Sequence, residues 1–200
     1  RLGFTAVVQL AGADEFRLSV PAASGTLLGR PFAAAGIVTR RAGVLAFDDV
    51  RVRAGPNRAE LNGTLGGNSG TAIGGRFRVD APDLAALWPG YAGALTASGR
   101  FGGTTAQPTL EGQAAGRNLE ANGLLVGSLA ASGGLGARQA VRLTLGAEGI
   151  RAGDRAIGNL ALEVSGPLTD HRLALDLGGG DVAIDLDAGG SWRAGVLTET

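Results

Sequence analysis

Few residues in this chain have the type and spacing that chemistry requires. His171, in Thr169-Asp170-His171-Arg172, is the only histidine. A general base needs a reacting group within hydrogen-bond reach and a partner that orients the ring. His171 falls between two strand-like runs and reads instead as an exposed turn histidine. Asp48-Asp49 and the trio Asp181, Asp185 and Asp187 bring carboxylates close together in sequence. A calcium loop needs oxygen ligands at close alternating spacing with a turn glycine. Asp185 and Asp187 sit on the polar side of an alternating run and read as a solvated face. Gly99-Arg100-Phe101-Gly102-Gly103 is glycine-rich, but it lacks the lysine and the following helix of a phosphate loop. Arg40-Arg41 and Arg51, Arg53 and Arg58 form a modest basic cluster, read as solvated strand edges in preference to an anionic-ligand site. No catalytic constellation, metal site or cofactor motif emerges, and an enzyme is the least expected class.

Composition narrows the rest. The 200 residues include no cysteine, so a disulfide, a thiolate metal site and a cysteine nucleophile are excluded within them. There is no methionine at position 1 or elsewhere, which predicts an internal or processed piece of a longer protein. Net charge is zero and there is no charge run, so a nucleic-acid partner is not expected. No stretch approaches the ~20 apolar residues that span a bilayer as a helix. Thirty-six glycines would suit a disordered linker, but 44% of the chain is hydrophobic, which argues for a folded one.

A short phrase recurs five times: Ser24-Gly25-Thr26-Leu27, Asn62-Gly63-Thr64-Leu65, Ser98-Gly99-Arg100-Phe101, Ser132-Gly133-Gly134-Leu135 and Ser165-Gly166-Pro167-Leu168. Its glycines lie 38, 36, 34 and 33 residues apart. Residues 1–200 therefore read as one segment of a larger array with units of 33–38 residues, marked by Gly25, Gly63, Gly99, Gly133 and Gly166.

Between turn signals the apolar residues alternate with period two, the mark of half-buried strands. Val141, Leu143 and Leu145 share a side; so do Leu160, Leu162 and Val164, then Leu173, Leu175 and Leu177, then Val182, Ile184 and Leu186. Earlier rows are Phe4, Ala6, Val8 and Leu10; Phe16, Leu18 and Val20; Val50 and Val52; Leu61 and Leu65; and Phe77 and Val79. Ala54-Gly55-Pro56-Asn57, Gly66-Gly67-Asn68, Asn122-Gly123, Gly153-Asp154, Gly178-Gly179-Gly180 and Gly189-Gly190 supply the turns. The count predicts roughly a dozen or more short strands in an all-β antiparallel sheet. Only Asp80–Gly90 breaks the pattern. Its capping acid, early proline and apolar Leu84, Leu87 and Trp88 predict a short helix near 81–88, a plug that packs Trp88 onto the apolar face.

A sheet with one aliphatic face must bury it against a second sheet, helices or an apolar ligand. A dozen strands in one sheet must twist and curl. The expectation is a taco-like trough with an apolar concave face, lined by the aliphatic rows above from Val50 to Leu186 and suited to acyl chains. A self-packed sandwich predicts the same alternation.

Residues 93–112, with Ser98-Gly99-Arg100-Phe101-Gly102-Gly103 and Gln107-Pro108-Thr109-Leu110-Glu111-Gly112, resemble the recurring phrase of TamB-type proteins. The Asp83–Pro89 helix resembles the one that often precedes that phrase, and Gly149–Leu177 is similar to the same repeat. The resemblance implies a periplasmic part of a protein anchored in the inner membrane by a segment outside this chain. It implies a trough that carries phospholipid toward the outer membrane and an outer-membrane barrel partner of the TamA type. A role in assembling outer-membrane proteins follows too, with nascent outer-membrane β-strands as further partners. No catalytic motif is carried over. The other readings are a structural β-repeat such as an adhesin stalk or β-solenoid, and a chaperone that pairs unfolded strands at an open sheet edge.

Overall fold

Alternation with interspersed glycine-bearing turns builds a meander. The computed structural model describes residues 2–12, 15–66, 71–136 and 140–190. Among the described residues it has thirteen strands. β1 (Leu2–Gly12), β2 (Glu15–Leu27), β3 (Arg30–Arg41) and β4 (Val44–Ala54) are followed by β5 (Asn57–Gly66) and β6 (Gly74–Ala81). A 3-10 turn, Leu84–Ala86, leads into β7 (Tyr91–Gly103), β8 (Pro108–Ala121) and β9 (Leu124–Leu135). β10 (Ala140–Ala152), β11 (Arg155–Pro167), β12 (His171–Gly178) and β13 (Ile184–Gly190) complete it. Each strand pairs antiparallel with its neighbours in sequence, giving one unclosed, curled sheet in the order β1 to β13.

Turn chemistry sets the hairpins. Asn122 and Gly123 both have positive φ (50° and 79°), as the turn that matches strand twist requires. Leu28-Gly29 and Ala42-Gly43 use the same geometry with an unusual first residue, φ 50° and 49°. Gly55 and Gly153 open the β4–β5 and β10–β11 turns at φ 60° and 57°.

Three expectations need correction. The strands are longer than short: β8 runs 14 residues and β7, β10 and β11 run 13 each. Interior glycines such as Gly99 and Gly102 are absorbed into the ladder rather than ending it, and Gly189-Gly190 closes β13 instead of turning. The helix near 81–88 is a single 3-10 turn of three residues, because Pro82 and Pro89 bracket too short a run. Asp48-Asp49 is a β-bulge in β4, where Asp49 takes φ 52° and its N–H donates to Asn62 Oδ1 at 2.8 Å. Of the earlier rows, the side chains of Phe4 and Ala6 and the turn residues Gly67-Asn68 lie outside the described residues.

No second layer covers the sheet among the described residues. Among the described residues the buried apolar ones are Ala54, Ala81, Ala86, Ala147 and Ile150, and no large side chain is completely enclosed. The accessible surface is 13,241 Å², against about 8,700 Å² for a compact chain of this mass. Substantial packing is confined to consecutive strands and to the 3-10 turn against β7.

The glycine of each recurring phrase occupies a position on the apolar side of its strand. Gly25 is on β2, and Gly63, Gly99, Gly133 and Gly166 are on β5, β7, β9 and β11. Gly63 shows why glycine is needed there: its φ is 153°, and a Cβ would come within 2.6 Å of Gly75 Cα.

Candidate apolar groove

Register turns the separate alternations into rows across the sheet. Val52, Ala59, Val79, Ala97, Ala114, Ala131, Leu145, Leu162, Leu175 and Leu186 lie opposite one another in sequence from β4 to β13. The next row is Val50, Leu61, Phe77, Gly99, Gly112, Gly133, Leu143, Val164 and Leu173. A third joins Ala147, Leu160, Leu177 and Ile184, while Val141 neighbours Leu135. The expected lining residues fall on this one face except Val182, which lies in the connection before β13. Most are half-buried; Leu65, Ile184 and Leu186 are exposed.

Alanine reports on the two faces without a size bias. Ala97, Ala114 and Ala131 on the apolar face are half-buried, whereas Ala115, Ala130 and Ala161 on the opposite face are exposed. Between β6 and β10 the apolar face holds a groove of about 410 Å³ walled by Phe77, Leu110, Leu135, Val141 and Leu143. Its floor is Ala97, Ala114, Ala131, Gly112 and Gly133. Phe77 lies over Gly99, where a Cβ would come within 2.7 Å of ring Cε1. Sequence reading passed over this floor and over Leu110 and Leu135. The signal was alternation of Ala and Gly with polar residues at 94–116 and 129–135, too small in side-chain size to read as an apolar row.

The 3-10 turn sits at the rim of the same face. Asn57, the buried polar residue among those described, donates through Nδ2 to the Asp83 carbonyl at 2.7 Å and accepts the Asp83 N–H on Oδ1 at 3.1 Å. The Asp83 carboxylate accepts the Ala86 N–H at 3.2 Å and faces Arg30 at 3.5 Å. Connections β2–β3, β4–β5 and β6–β7 are thereby tied together. Ala86, with Leu84 and Leu87 half-buried, does the covering. Trp88 does not pack onto the apolar face as expected: it is 59% exposed, edge-on to Tyr91 at 6.5 Å, because Pro89-Gly90 turns the chain away after one turn.

The polar face is wide and charged. It holds a groove of about 970 Å³ that includes Arg51, Glu60, Arg76, Arg78, Arg100 and Arg142. Arg100 Nε donates to Glu111 Oε2 at 2.8 Å, and Arg51 faces Asp49 at 2.6 Å. Asp187 is bridged by Arg172, whose hydrogen bond holds the Asp187 carboxyl below its ordinary value and raises the guanidinium in turn. Asp185 lies opposite Asp176 on the solvated face. His171 opens β12 half-buried rather than exposed in a turn; its Nδ1 is 3.2 Å from the Leu168 carbonyl oxygen, which as an acceptor places the proton on Nδ1. Among the described residues no three of His, Asp and Glu converge as a metal site, and no helix is long and apolar enough to cross a membrane.

Residues 5–196 match the family model described as TamB, N-terminal domain. The chain is also similar to the translocation and assembly module subunit TamB of Haemophilus influenzae, 26% identical over 186 residues. That alignment covers 90% of this chain and 14% of the relative, so the chain spans about one seventh of the curated protein it matches. No solved structure matches the chain.

Proposed function

This chain belongs to the TamB family, and from that premise we propose that it is a periplasmic stretch of an inner-membrane-anchored protein. Its apolar sheet face shields phospholipid acyl chains and forms the concave lining of the trough. The protein of which it is part acts in an outer-membrane assembly module, with an outer-membrane barrel partner, and does no covalent chemistry. The observation that carries the reading is an aliphatic face left without a covering layer. Rows such as Leu145, Leu162 and Leu175 stay half-buried in a sheet where, among the described residues, no large side chain is fully enclosed. Exposed apolar area is costly at roughly 25 cal/mol per Å², and acyl chains offset that cost without demanding a fixed geometry. The greater cover over Ala97, Ala114 and Ala131 than over Ala115, Ala130 and Ala161 supports the apolar side as the inner one.

The test is site-specific photo-crosslinking at Leu143 in the full-length protein, followed by mass spectrometry of the adduct. Phospholipid adducts are expected, and Leu162→Arg is expected to abolish them by placing an unpaired charge in the groove. A folded L162R protein that still crosslinks phospholipid as the parent does sinks the conduit reading. The edge-pairing reading also has an observation in its favour: among the described residues the sheet stays unclosed, with β1 and β13 at its two ends. Under it, a proline within β13 impairs outer-membrane protein assembly more than L162R does.

A further inference from the structure

The face opposite the lipid-lining rows is not uniformly solvated. Arginines are most numerous on β4–β7, where Arg51, Arg53, Arg58, Arg76, Arg78 and Arg100 accompany Asp48, Asp49, Glu60 and Asp80. On β10–β13, Arg142, Arg151, Arg155 and Arg172 accompany Glu148, Glu163, Asp176, Asp185 and Asp187.

On β6, Arg76 stands directly opposite Arg100 on the neighbouring strand. Like charges directly opposite each other destabilise a sheet. Arg100 is bridged to Glu111, whereas Arg76, Arg78 and Arg142 have no carboxylate at salt-bridge distance among the described residues. Arg78 is opposite Glu60 in register, yet the two do not pair. All three arginines open into the groove of about 970 Å³, whose lining also holds Ser98 and Gln113 and the carboxylates of Asp49, Glu60 and Glu111.

We propose that this polar groove on β4–β10 is a binding site for phosphate-bearing ligands, held by Arg76, Arg78 and Arg142. The guanidinium presents a planar pair of N–H donors that matches two phosphate oxygens. Arg76 and Arg78 lie two residues apart on one face of β6, about 7 Å along the strand. That spacing suits adjacent phosphates or the two sides of one. Ser98 lies opposite Arg78 on β7 and Gln113 opposite Ser98 on β8, with Gln113 Nε2 donating to Ser98 Oγ at 3.5 Å. Arg76, Arg78 and Arg142 stand on the opposite face from the acyl-chain rows, whose Phe77, Gly99, Gly112 and Gly133 also border the groove.

Titration of the detergent-solubilised full-length protein with inorganic pyrophosphate, and co-sedimentation with vesicles of phosphatidylglycerol or of phosphatidylcholine, test it. Saturable pyrophosphate binding that weakens on the order of tenfold in Arg76→Gln/Arg78→Gln/Arg142→Gln supports a free phosphate ligand. Selective capture by phosphatidylglycerol vesicles, lost in the same variant, supports a lipid headgroup. Arg172→Gln, on β12 and outside the groove, is the control and is expected to change neither. Binding of neither probe by the parent, or equal binding by the triple variant, overturns the proposal.

Discussion

Strands β7–β9 and β10–β12 carry the same alternation and line the same face, but they place side chains of different size there. In the first region the two central rows are Ala97, Ala114, Ala131 and Gly99, Gly112, Gly133; in the second they are Leu145, Leu162, Leu175 and Leu143, Val164, Leu173. The groove of about 410 Å³ opens over the first. The difference separates two jobs. Each methylene removed from water contributes roughly 0.8 kcal/mol, so the leucine rows hold the curled sheet together. The alanine and glycine rows contribute little area and leave the space. A trough built of leucine throughout would fill itself, and one built of alanine throughout would have little to hold its shape.

The sharpest way to break this division is to charge the leucine side. Leu162→Asp is expected to cost roughly 2–4 kcal/mol, the cost of an unpaired carboxylate on a half-buried apolar surface, read as a shift in the urea midpoint. A loss no larger than that of a surface substitution would mean the leucine rows carry no packing. Next comes the rim, where Asn57→Ala strands the Asp83 N–H and carbonyl and is expected to cost about 2 kcal/mol. Protection of the β6–β7 connection against hydrogen exchange should fall with it.

The most discriminating pair is Leu162→Ala against Ala114→Leu. The first is expected to cost roughly 1–2 kcal/mol, less than for a fully enclosed leucine. The second should change stability by less than about 1 kcal/mol while lowering phospholipid capture, since it fills the groove. Equal destabilisation by both would show that the floor of β7–β9 is already packed. Trp88→Ala should matter least among these, within about 0.5–1 kcal/mol, because the ring is mostly exposed. A larger loss would restore the sequence expectation of a buried plug. On the acid side, Arg172 holds the Asp187 carboxyl below its ordinary 3.8. A lowered carboxylate contributes stability above its ordinary value and loses it as pH falls through the lowered one. Asp187→Asn should therefore flatten a small part of the stability loss as pH falls from about 5 through the ordinary carboxylate value and below it.

Most of the sheet was legible in the chain. Leu143, Leu145, Leu160 and Leu162 declare their face by period two, because a strand sends successive side chains to opposite sides. Asn122-Gly123 declares its hairpin because few other pairs tolerate two positive φ values. The Leu28-Gly29 and Ala42-Gly43 turns escaped notice for the converse reason: leucine and alanine rarely adopt φ near 50°. The groove floor escaped because Ala97 and Gly99 have too little side chain to mark a row. Trp88 misled because its helical spacing with Leu84 is a local property, while its burial depends on where Pro89-Gly90 sends the chain.

Sequence by itself therefore determined strand identity and the two-faced character of the sheet. Each follows from the side chains within a few residues of one another. Tertiary structure alone decided that Ala97, Ala114 and Ala131 would lie side by side, that Arg76 would face Arg100, and that no second layer would cover the leucines. Those are relations between residues tens of positions apart. Strand register fixes them, and a slip of one residue would move every side chain to the other face.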